Sequence, residues 1–161
     1  MQQISEANYY LERALETGHP HLFTSLPPFL EFLGYYRNAL TSYSKCFVSS
    51  GQGKISLNNV IFKAEDDLLD IHQSAILLRH KFVAHSDDNE FETFEVVETE
   101  HESYLKLDLN YEINFPFDRL YELKKLIRFV ETYIAESHFK CVSAVEKEIK
   151  KSVVVNTSEN A

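Results

Sequence analysis

The stretch Ala64-Glu-Asp-Asp-Leu-Leu-Asp-Ile-His-Gln-Ser-Ala-Ile-Leu-Leu-Arg-His-Lys-Phe-Val-Ala-His-Ser-Asp-Asp88 decides how the rest of the chain is read. Acidic Glu65, Asp66 and Asp67 stand at its start, and Arg79, His80, Lys81 and His85 stand near its end. That order suits a helix dipole, positive at the N-terminus and negative at the C-terminus. Ser86, Asp87, Asp88 and Asn89 then supply turn formers, so the spacing predicts one helix over 65–86. At about 100° per residue, Leu68, Ile71, Ala75, Ile76, Leu78, Phe82 and Val83 share one broad arc. Arg79 falls near the middle of that arc, His72 almost in line with it one heptad earlier, and His85 at one rim. A buried unpaired charge is costly, so an arginine placed there requires a partner, a subunit interface or a chemical task.

Toward the N-terminus, Tyr9, Leu11, Ala14 and Leu15 give 3–17 one apolar side, and Gly18-His19-Pro20 ends that helix. Pro27 and Pro28 open a second helix over 27–48, whose Phe29, Phe32, Leu33, Tyr36, Leu40, Tyr43 and Phe47 recur at steps of three and four. Residues 49–53, Ser-Ser-Gly-Gln-Gly, read as a loop, and 56–62 as a helical turn. Beyond Asn89 the period drops to two. Phe94 and Val96, then Leu105, Leu107, Leu109, Tyr111 and Ile113, alternate with polar residues. With Glu100-His-Glu-Ser103 as its turn, 91–113 reads as an antiparallel hairpin that must lie against helices to be stable. A last helix over 117–150 carries a narrow seam of Leu120, Leu123, Ile127, Val130, Ile134 and Cys141, suited to a bundle core or a dimer.

Composition narrows the function. The 161 residues fit one domain, 1–151, with a flexible tail over 152–161. Gly and Pro number four each, which favours a mainly α protein. A formal charge of -9 argues against nucleic-acid binding through a broad basic face but not through a local cleft. Cys46 and Cys141 are too few for a disulfide framework and lie on apolar stripes, so both are expected in the core. No basic-then-apolar leader or membrane-length apolar run is present, and a cytoplasmic protein with no membrane attachment is expected. No Gly-rich phosphate loop, Gly-x-Ser-x-Gly or His-Glu-x-x-His occurs. The histidines lack the three- or four-residue helical spacing of metal ligands, so neither metal nor cofactor is expected.

Arg79, the polar His80 after it and His85 six positions on resemble the Arg-x(4–6)-His motif of the HEPN superfamily. The phrase Leu78-Arg-His-Lys-Phe-Val-Ala-His-Ser-Asp87 is similar to the signature helix of its abortive-infection branch. The resemblance implies an up-and-down antiparallel bundle of about four helices that forms a homodimer, with the hairpin inserted before the last helix. It further implies a metal-independent endoribonuclease of the toxin or phage-defence kind, with RNA as substrate and a cognate antitoxin protein as partner. Carried over by position, Arg79 holds the phosphate, His85 moves the proton, His80 takes the family's polar slot, and Lys81 and His72 support the motif. Arg13 and His19 repeat the spacing across a helix end, where it has no structural meaning. On an α-helix, six residues separate Arg79 from His85 by about 120°, so a shared phosphate requires a swung arginine or the second subunit. The alternative is a catalytically silent dimeric helical module binding a nucleotide, RNA or protein, in which Arg79 pairs with a carboxylate.

Overall fold

In the computed structural model, which describes residues 2–48, 56–84, 92–113 and 119–155, glycine and proline set the first boundaries. Helix α1, Gln2–Thr17, stops at Gly18, whose φ of 115° is unstrained only for glycine. A 3₁₀ turn, Pro20–Leu22, leads to α2, Leu26–Lys45, which carries proline in its first turn where no amide hydrogen is needed. A second 3₁₀ turn, Asn59–Phe62, is capped by the Asn58 side-chain oxygen, which accepts from the Val60 N–H at 3.0 Å. Helix α3, Asp66–Leu78, follows, with Asp66 and Asp67 in its first turn. Strands β1, Glu92–Glu100, and β2, Leu105–Ile113, precede α4, Leu120–Ile149. The architecture is a mainly helical up-and-down bundle with one antiparallel hairpin ahead of the last long helix.

Helices α1 and α2 form the most extensive pair, α4 lies on α1, and α3 sits against both α2 and α4. Small Ala7 and Ala14, buried beside Ile4 and Leu11, let α2 approach α1 closely. From α2 come Phe32, Leu33, Tyr36, Leu40 and Tyr43, and from α4 Leu120, Leu123, Leu126, Ile127 and Val130. Phe62 sits at their junction, its ring 5.9 Å from Phe47, 4.9 Å from His72 and 5.7 Å from Phe129. Full burial of such a ring stabilises by about 1.5–3 kcal/mol. Lys124 on α4 pairs with Glu12 on α1 at 2.8 Å, fixing the rotation of one helix on the other.

Four expectations are revised. The helix expected over 65–86 is α-helical only to Leu78; Arg79–Ala84 widens into a π-helix. No proline or glycine marks the change, so nothing in the sequence announces it. The seam of α4 is buried only through Val130 and half-buried at Ile134, because the helix, about 45 Å long, outruns its neighbours. Cys141 is therefore exposed, whereas Cys46 is buried as expected. Finally, the described side chains toward the tip of the hairpin do not lie against the helices. Every described side chain from Glu95 to Leu107 is exposed, and the strands pack chiefly on each other. The expected 49–53 loop, the start of the last helix at 117–118 and the tail beyond 155 lie outside the described residues.

Candidate functional site

Arg79 stands where α3 gives way to the π-helix, and its backbone N–H donates to the carbonyls of Ala75 and Ile76. A π-helix bonds each residue to the fifth along, is rare, and is frequent at functional sites. The widened turn packs against α2. Arg79 is half-buried, as its place on the apolar arc requires, and its side chain makes no hydrogen bond or ion pair with another described residue. The carboxylate partner of the architectural alternative is thus missing among the described residues. His80 and Lys81 follow, both exposed. His85 lies outside the described residues.

His72 is placed quite differently. It is 3 % exposed, and its Nδ1 shares a 2.8 Å hydrogen bond with the Tyr43 hydroxyl. The rings of Phe47 and Phe62 approach to 4.4 and 4.9 Å. Burial lowers its pKa, favouring the neutral imidazole, and burial likewise pushes the Tyr43 hydroxyl far above its ordinary value. Seven helical residues, about 10.5 Å of rise, separate His72 from Arg79. His72 anchors α3 in the core, away from the exposed His80 and Lys81 of the π-helix.

One residue near this helix had no signal in the sequence. Arg119, immediately before α4, donates from Nη1 to the Ser74 hydroxyl of α3 at 3.0 Å across a separation of 45 residues. Its charge opposes the rise that burial imposes on the Tyr36 hydroxyl, so it lies at the corner where α2, α3 and α4 meet. Ser74 and Arg79 are five residues apart, about 140° around an α-helix, so Arg119 reaches a different flank from Arg79. Arg13, the chance match, binds Glu16 at 2.6 Å and lies 5.6 Å over the Tyr35 ring, with Tyr35 and then Glu16 favouring its charged form.

Among the described residues there is no group of three or more His, Cys, Asp or Glu side chains able to hold a metal ion. None of the described helices is long and apolar enough to cross a membrane. Burial pushes the Cys46 thiol up to about 11, which removes it as a nucleophile. Comparisons with protein-family models, with curated proteins and with solved structures each return no match.

Proposed function

We propose that the chain is a HEPN-like metal-independent endoribonuclease of the toxin or phage-defence type, acting as a homodimer in the cytoplasm. The observation that carries this reading is Arg79, a half-buried residue without a carboxylate partner among the described residues, at the start of a π-helix. A guanidinium offers a rigid fork of donors matched to a phosphodiester. In the proposed reaction the ribose 2′-oxygen attacks the adjacent phosphorus and its proton passes to water. Protonated His85 then gives its proton to the leaving 5′-oxygen, and a 2′,3′-cyclic phosphate remains. Arg79 balances charge on the phosphoryl oxygens as the new P–O bond forms. The dimer would bring Arg79 and His85 of two copies into one cleft.

The acidic balance of the chain, -9, favours the second reading of a silent binding module. Incubating purified protein with mixed RNA, with and without EDTA, decides between them. Expected are cyclic-phosphate 3′ ends, no effect of chelator, loss of cleavage in Arg79→Ala and His85→Ala with folding intact, and decline as pH rises and the acid deprotonates. Absence of cleavage by the wild type removes the nuclease reading.

A further inference from the structure

Helix α3 is fastened to the bundle by four buried side chains, Leu68, His72, Ala75 and Leu78, with Leu69, Ile71 and Ile76 half-buried beside them. Of the four, His72 is the one that can take up a proton. The helix runs on from these residues into the π-helix, where the Arg79 N–H donates to the carbonyls of Ala75 and Ile76. A displacement of α3 is therefore passed to the turn that carries Arg79. The α1–α2 and α1–α4 contacts do not pass through α3, so those helices have packing of their own to keep.

The walls around His72 hold no negative charge. From α2 come the Tyr43 hydroxyl, bonded to Nδ1, and the Phe47 ring at 4.4 Å. Tyr43 and Cys46 are the titratable groups that α2 brings here, and burial pushes both up, so neither is ionised near neutrality. Phe62 closes the site from the 3₁₀ turn, and Phe129 of α4 stands behind Phe62 at 5.7 Å. On α3 itself the residues three and four away are Leu68, Leu69, Ala75 and Ile76. The charged residues beside these positions in sequence, Lys45, Lys63, Asp70 and Arg128, are exposed. Ring faces attract a cation weakly against the hydration that burial removes, so an imidazolium here has nothing to hold it.

We propose that proton uptake by His72 in mild acid releases α3 and its π-helix from the bundle while α1, α2 and α4 stay packed, so that acid withdraws Arg79 from its site. Released into water, the imidazole recovers its ordinary value of 6.5, and the released form then holds a proton that the docked form refuses. Docking is complete above that value and weakens as pH falls through it. Such an opening is local, confined to one element rather than the whole fold. The release of α3 stands by itself, and its effect on cleavage rests on the ribonuclease reading.

Hydrogen–deuterium exchange on the full chain, read peptide by peptide and corrected for the intrinsic effect of pH, tests it. From neutrality to about pH 5.5, peptides spanning 66–84 should lose protection by up to about tenfold, while those of α1 and α4 keep theirs. The double variant Tyr43→Phe/His72→Phe keeps aromatic rings in the site and leaves no imidazole to titrate, so its 66–84 peptides should not respond. His72→Gln, which also cannot titrate, should behave alike and serves if the double variant does not fold. A loss shared equally by α1, α3 and α4 overturns the proposal. So does protection of 66–84 that stays within twofold, or a variant that responds like the wild type. RNA cleavage is scored on the same samples. Its loss in step with 66–84 supports the link to Arg79, and cleavage that persists after release overturns that link. Absence of cleavage at every pH removes the nuclease reading alone, and the exchange data still decide the release of α3.

Discussion

Replacing Tyr43 with phenylalanine removes one oxygen and leaves the buried ring in place. His72 Nδ1 then loses its 2.8 Å partner, in a site lined by the Phe47 and Phe62 rings and only 3 % exposed. A buried polar atom left unpaired costs about 1–3 kcal/mol. In a chain of this length each kcal/mol lowers Tm by about 2–4 °C, so the expected fall is about 2–12 °C. Scanning calorimetry near neutral pH measures it. The double variant Tyr43→Phe/His72→Phe removes both polar partners and strands neither, so its loss should be smaller than the sum of the two single losses. The reasoning fails if Tyr43→Phe melts with the wild type. It fails equally if the double variant loses the full sum, because the two side chains would then not be coupled.

The same pair gives a pH dependence. Burial holds the His72 pKa below its ordinary 6.5, so at acid pH the unfolded chain binds a proton that the folded chain refuses. Its contribution is therefore complete above that value and is lost as pH falls below it, by up to about 1.4 kcal/mol per pH unit. Urea titrations between mild acid and neutrality should show this slope, and His72→Gln should flatten it. Phe62→Ala opens a cavity among Phe47, His72 and Phe129 and should cost about 3–5 kcal/mol by urea denaturation, with loss of under 1 kcal/mol counting against a tightly packed junction. In thiol labelling, exposed Cys141 should react at once and Cys46 only on unfolding, and equal rates would contradict the burial of Cys46.

The elements were legible because their periods were long and their ends were punctuated. Gly18 closes α1 at the residue that the glycine and proline marked, and the strands begin and end within a residue or two of the alternation. What the sequence hid was relation in space. Leu120, Leu123, Ile127 and Val130 repeat like Cys141, yet only the first four meet other helices. Periodicity reports which face is apolar, not whether anything lies against it. The π-helix was hidden for a different reason. Widening one turn at Arg79 replaces each hydrogen bond by another of similar kind, so no particular residue type is demanded. Arg119 met Ser74 through tertiary packing alone, and no local pattern carries such a pairing.

The acidity that counts against RNA is unevenly placed. Of the formal -9, a net -6 belongs to the 22 residues 92–113, leaving -3 for the remainder of the chain. The repulsion an approaching phosphate feels is therefore concentrated on the projecting hairpin, and salt at physiological strength screens exposed charge within about 8 Å. Arg79 is on the helical body, half-buried, and its neighbours His80 and Lys81 add donors rather than carboxylates. Its side chain makes no hydrogen bond or ion pair with a described carboxylate, and the proposed reading gives that guanidinium a phosphate to hold.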